Sequence, residues 1–130
     1  MEAKINLVAR VILGMIFLVF SLNFFFPFLP QPPLEEAGMN MMVALMGTGY
    51  FMVLLKITEL ISSLLVLTGR YTPLGILLLA PIVVQIFCFH LFLAPSGILL
   101  AVVLVLLEGY LGYAHFGKFR HLFFPAAEEN

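Results

Sequence analysis

The chain has no tryptophan, a single cysteine and few charges: six Lys or Arg and seven Asp or Glu, together 10% of 130 residues. Each scarcity excludes something. Cys88 alone cannot close an intramolecular disulfide or run a two-cysteine redox cycle. A net charge of -1 leaves no basic patch for nucleic acid. No His pair at zinc spacing, glycine-rich phosphate loop or Ser-His-Asp set is visible, so hydrolytic and nucleotide chemistry have no machinery here.

What the chain has in excess is apolar residues. A hydrophobic share of 63% and a mean hydropathy of +1.16 lie far outside the range of soluble domains and predict an integral membrane protein. Residues 5–26, 50–68, 73–93 and 98–116 are apolar runs of about the 20 residues that cross roughly 30 Å of hydrocarbon as a helix. The first run is longer than a signal-peptide core and is followed by Pro27, with no small-residue cleavage site, so it is expected to be retained. Pro30, Pro32 and Pro33 then break the helix. A short helix is expected over 34–46, with Glu35 and Glu36 at its positive N-terminal end. Gly47-Thr48-Gly49 marks a bend, Gly69 a helix stop, Pro81 a kink, and Ala94-Pro95-Ser96-Gly97 a tight turn. Residues 117–130 read as a polar, partly disordered tail.

These elements predict an all-α, single transmembrane domain over 1–130: a four-helix up-down bundle with the short extra helix on its outer side. With four spans, Lys4, Arg10, Arg70, Lys118 and Arg120 all fall on the side of the termini, and the opposite loops contain no Lys or Arg. The positive-inside rule therefore places both termini in the cytoplasm. Tyr50, Tyr71, Tyr110, Tyr113 and Phe24 to Phe26 are left to mark the boundaries in place of tryptophan.

Four charges lie inside the apolar runs: Arg10, Lys56, Glu59 and Glu108. A charge at the bilayer centre costs at least about 2.5 kcal/mol on insertion scales, so such groups normally face one another or a wet cavity. Counting about 1.5 Å per residue from the cytoplasmic ends puts Glu59 about 15 Å deep, Lys56 about 19 Å, Glu108 about 12 Å and Arg10 about 8 Å. Lys56, Glu59 and Ser63 share one helical stripe, as do Arg10, Gly14 and Ser21, and Glu108, Gly112 and His115. With Gln85 of the third span, a polar interior lined by Arg10, Lys56, Glu59, Gln85 and Glu108 is expected. Its structural reading is an ion pair that fixes helix register, with Arg10 serving topology at the boundary and His90 and His115 interfacial. Its functional reading is a pocket that binds a headgroup or handles a proton.

On the outer side Met39, Met42 and Met46 share a helical face, and Cys88 and His90 lie in the outer half of the third span. Thioether, thiol and imidazole suit a soft metal such as Cu(I). Methionine is also a flexible filler of apolar contacts, and that reading outweighs a metal site.

Arg10-Val11-Ile12-Leu13-Gly14-Met15-Ile16-Phe17, then Glu59, then Leu67-Thr68-Gly69-Arg70-Tyr71-Thr72-Pro73-Leu74, in this order within four spans, resembles the DoxX-like group of small four-helix membrane proteins. The likeness covers roughly residues 4 to 120. It implies a bacterial cytoplasmic membrane protein, in a family named after subunits associated with thiosulfate:quinone oxidoreductases. Other members are linked to oxidative stress, chaperoning and cargo handling, and no catalytic or metal-ligand motif carries over residue by residue. The expectation is thus a non-catalytic membrane subunit or scaffold for a membrane-bound or peripheral redox protein, with a quinone implied by resemblance alone, or a lipid headgroup, held at the Lys56, Glu59 and Glu108 level. A small-solute or proton transport component and a chaperone-like assembly factor are the alternatives.

Overall fold

The computed structural model describes residues 2–30 and 33–123. Among them are six α-helices and no strand: α1 (Glu2–Phe25), α2 (Glu36–Gly47), α3 (Phe51–Thr68), α4 (Thr72–Phe92), α5 (Ile98–Ala114) and α6 (Phe116–Phe123), with one 3₁₀ turn at Pro95–Gly97. Four stretches, Glu2–Phe25, Phe51–Thr68, Thr72–Phe92 and Pro95–Ala114, are long and apolar enough to cross a membrane.

Local chemistry sets the ends. α1 starts three residues before the apolar run, with Glu2 in its first turn, where a negative charge complements the helix dipole. It stops ahead of Pro27, and the buried Asn23 side chain captures the freed backbone: its Oδ1 accepts from the Phe28 and Leu29 N–H groups, both at 2.8 Å. α3 ends at Gly69, whose φ of +79° is the left-handed conformation that a terminating glycine adopts at low cost. α4 carries Pro73 in its first turn, and its helical assignment runs unbroken through Pro81.

The four long helices pack as a ring, α1 on α3, α3 on α4, α4 on α5 and α5 back on α1. Leu13 and Phe17 of α1, Val66 of α3, Ile76, Leu79 and Val83 of α4, Leu104 and Leu111 of α5 and Phe119 of α6 form the core. Two glycines permit the close approaches. A Cβ on Gly14 would lie 2.6 Å from the Leu67 Cγ, and one on Gly75 would lie 2.7 Å from the Val66 Cγ2 and 2.9 Å from the Ser62 carbonyl oxygen. The outward faces are apolar, with Leu99, Leu106 and Val84 all more than 60% exposed, which suits lipid and not water.

The tail departs from expectation. Residues 116–123 are helical, because Phe116 and Phe119 are spaced i, i+3 and Phe119 turns into the core at 7% exposure. Residues 124–130 of the expected tail lie outside the described residues. On the same account the fourth long helix ends at Ala114 instead of 116, with the His115 N–H bonded to the Leu111 carbonyl before α6 begins.

α2 docks on the corner between α4 and the 3₁₀ turn. Glu35, immediately before α2, accepts hydrogen bonds from the Ser96 N–H at 3.0 Å and from the Ser96 hydroxyl. Gly38 makes room for the corner, since a Cβ there would be 2.9 Å from the Ala94 Cβ and 3.2 Å from the Phe89 ring.

Candidate functional site

α3 presents Lys56 and Glu59 one turn apart, and they meet. Lys56 Nζ lies 3.2 Å from Glu59 Oε2, with side-chain exposures of 18% and 3%. The contact is an ion pair without an aligned hydrogen bond, as Glu59 Oε2 has no hydrogen-bond partner. Ser63 extends the stripe by position, but its hydroxyl donates to the Leu60 carbonyl of its own helix at 2.7 Å. The neighbouring Ser62 is fully buried, and its Oγ has no partner.

Glu108 does not join them. It is 9% exposed, takes no part in the ion pair, and keeps Oε1 buried without a hydrogen-bond partner. It lines a groove of about 220 Å³ walled by Ile76, Leu77 and Ala80 of α4, Gly112 of α5 and Phe116 and Phe119 of α6. Apart from Glu108, every wall is apolar. A second groove of about 310 Å³, between α1 and α5, has Lys4 at its edge and Ile5, Val8, Ala9, Ile12 and Leu107 along it.

Arg10 is half-buried and lies over the C-terminal end of α3, so close to Gly69 that a Cβ there would sit 2.8 Å from the Arg10 Nη1. That end of a helix carries partial negative charge, which favours a guanidinium beside it. Gly69 therefore serves two purposes, the left-handed turn and the space for Arg10. The Arg10 Nε has no hydrogen-bond partner.

Gln85 does not line the interior; it is exposed. The inward stripe of α4 is taken by Ile76, Leu79 and Val83, and two residues beyond Val83 the helix has turned about 200°, which carries Gln85 to the opposite side. The expected soft-ligand residues differ in exposure. Met39 and Met46 are exposed, Cys88 is half-buried, and one His90 ring nitrogen lies 3.0 Å from the Ala94 carbonyl with the ring pressed against Gly97. Met42 is half-buried on α2. Among the described residues no group of three or more His, Cys, Asp or Glu could hold a metal ion. The His115 Nδ1 contacts the Leu111 carbonyl at 2.9 Å.

Three polar contacts were not expected from the sequence: Asn23 at the end of α1, the Glu35–Ser96 link, and a Tyr110 hydroxyl that donates to the Asn6 Oδ1 at 2.5 Å and joins α5 to α1. A signal for two of them existed in the asparagines, which interrupt an otherwise apolar run.

Of the expected cluster, the one ion pair among the described residues is Lys56–Glu59, and Glu108 takes no part in it. Lys56 and Glu59 neutralise each other on one helix. Glu108 is a carboxyl at the wall of an apolar groove with one buried oxygen unpartnered, able to donate as an acid or accept as a carboxylate. Such a site fits an amphiphile that brings a polar end to Glu108 and an apolar body to the groove.

No curated protein and no solved structure matches the chain. One family model does, that of DoxX, over residues 5–92. The match takes in α1 to α4, and with them Arg10, Lys56, Glu59 and Gly69; Glu108 lies beyond it.

Proposed function

The chain belongs to the DoxX family and is a multi-pass membrane protein; from this premise we propose that it is a non-catalytic membrane subunit of a redox system, holding the headgroup of a quinone or lipid at Glu108. One observation carries the reading: a carboxyl oxygen buried without a partner, in a groove whose other walls are apolar. Burying a polar group without compensation is costly, so such an oxygen calls for a ligand that supplies the missing hydrogen bond. The reading assigns Lys56 and Glu59 to register, since their charges already offset each other.

The proposed setting is a bacterial cytoplasmic membrane. Short connections at Gly69–Tyr71 and Leu93–Gly97 favour antiparallel neighbours, hence an up-down bundle with α2 on the outer side. The arrangement of basic residues favours cytoplasmic termini, which puts the Glu108 groove in the cytoplasmic half of the bilayer, where α6 with exposed Lys118 and Arg120 meets the surface. A peripheral redox partner would approach from that side.

A proton relay is favoured less, because the residues that line the groove beside Glu108 are apolar and none can pass a proton on. Purification from native membranes in a lipid-preserving polymer tests the proposal. The expected result is a bound quinone or lipid together with an oxidoreductase in the same particle. An empty chain without a redox partner would contradict it, and proton flux in vesicles abolished by Glu108→Gln would favour the relay instead.

A further inference from the structure

The central part of α4 carries one strongly polar side chain, and it faces away from the bundle. Gln85 is exposed, among the exposed apolar residues Leu77, Val84, Leu91 and Phe92. Pro81, one turn earlier and also exposed, has no N–H, so the Leu77 carbonyl loses its usual helical donor on this side as well. In hydrocarbon neither group finds a partner, because lipid tails offer no hydrogen bonds. Gln85 is about 10 Å along the axis from the nearer end of α4, too deep for a short amide side chain to reach the headgroups. A primary amide has two N–H donors and an acceptor oxygen, and all of them call for cover.

We propose that this face of α4 is the contact between two copies of the chain in the bilayer, with the two Gln85 amides paired across a twofold axis along the membrane normal. The self-complementarity of the amide argues for a second copy over another membrane protein. A twofold brings an identical donor and acceptor to the same depth, whereas any other partner must carry its own polar group at that height. Apolar residues on either side of Gln85 supply the packing. The inference does not draw on Glu108, although Leu77 lines both that groove and this face of α4.

The chain contains its own reporter. Cys88 lies three residues from Gln85, half-buried on the same flank of α4, and no other cysteine is present. Mild oxidation in native membranes should therefore give a covalent dimer, absent in Cys88→Ser and several-fold weaker in Gln85→Leu. Moving the cysteine to the exposed Leu106 of α5, as Cys88→Ser with Leu106→Cys, should give little or none. Because Gln85→Leu places an apolar side chain where lipid would be, it should fold, and counting fluorophores per particle in the bilayer gives a second measurement: two for the wild type, mostly one for Gln85→Leu. The proposal is overturned by single copies in the wild type, by crosslinking through position 106 in place of 88, by dimerisation unchanged in Gln85→Leu, or by Cys88 trapping a different protein.

Discussion

Lys56 and Glu59 carry opposite charges on adjacent turns of α3, and each is tolerable in an apolar surrounding because of the other. Removing one leaves a buried charge uncompensated, which typically costs about 3–5 kcal/mol, whereas removing both can be close to neutral. Unfolding in detergent is expected to show Lys56→Met and Glu59→Gln each destabilised and the double variant substantially recovered; additive losses would contradict the register role. Gly75→Ala should lower stability by about 1–3 kcal/mol through overpacking, since the added Cβ would meet the Ser62 carbonyl, a backbone atom that cannot step aside. The Lys56–Glu59 pairing was legible in the sequence because i, i+3 spacing on a helix fixes proximity without tertiary knowledge. The outward turn of Gln85 was not. Polarity suggests an interior position, and only the phase of Ile76, Leu79 and Val83 reveals which side of α4 is inward. Glu108 was read as a member of an intramembrane polar cluster, but its absence from the α3 ion pair depends on how helices rotate about their own axes, which spacing along one chain does not encode.

At the scale of elements, helix identity and approximate bounds followed from apolar run lengths and from Gly and Pro, whereas α6 escaped because charged residues dilute the signal of Phe116 and Phe119. The corner where α2 docks rests on a link between residues 61 apart in sequence, Glu35 to Ser96. Hydrogen bonds from the Ser96 hydroxyl and then its N–H hold the Glu35 carboxyl below the usual carboxylate range, with a smaller contribution from nearby His90. A depressed pKa means that the link contributes above the ordinary value of about 4.5 and is lost as pH falls through the lower folded value. Hydrogen exchange at the Ser96 amide, taken relative to its intrinsic rate, should thus show protection at neutral pH that declines only in acid below pH 4.5, and that Glu35→Ala removes at every pH. Protection indifferent to Glu35→Ala would mean that α2 is held to the corner by Gly38 packing alone.

At the scale of the whole molecule, the class of protein was written in its composition. The four long helices and the DoxX match agree with it over most of the chain. Orientation is the next testable level: thiol-reactive reagents that do not cross membranes should label a cysteine at Lys118 only from the cytoplasmic face, and one at Pro33 only from the other. The proposed function turns on the α4–α5–α6 groove, whose α4 wall lies within the family match and whose unpartnered carboxyl, with the α5 and α6 walls, lies beyond it. The most direct test compares the amphiphile extracted per chain from wild type, Glu108→Gln and Glu59→Gln, each purified in its native lipid and weighed intact by mass spectrometry. A stoichiometric quinone or lipid in the wild type and folded Glu59→Gln, reduced at least several-fold in folded Glu108→Gln, is the predicted result. Equal retention by the wild type and Glu108→Gln, or none in any of the three, would contradict a ligand site at Glu108.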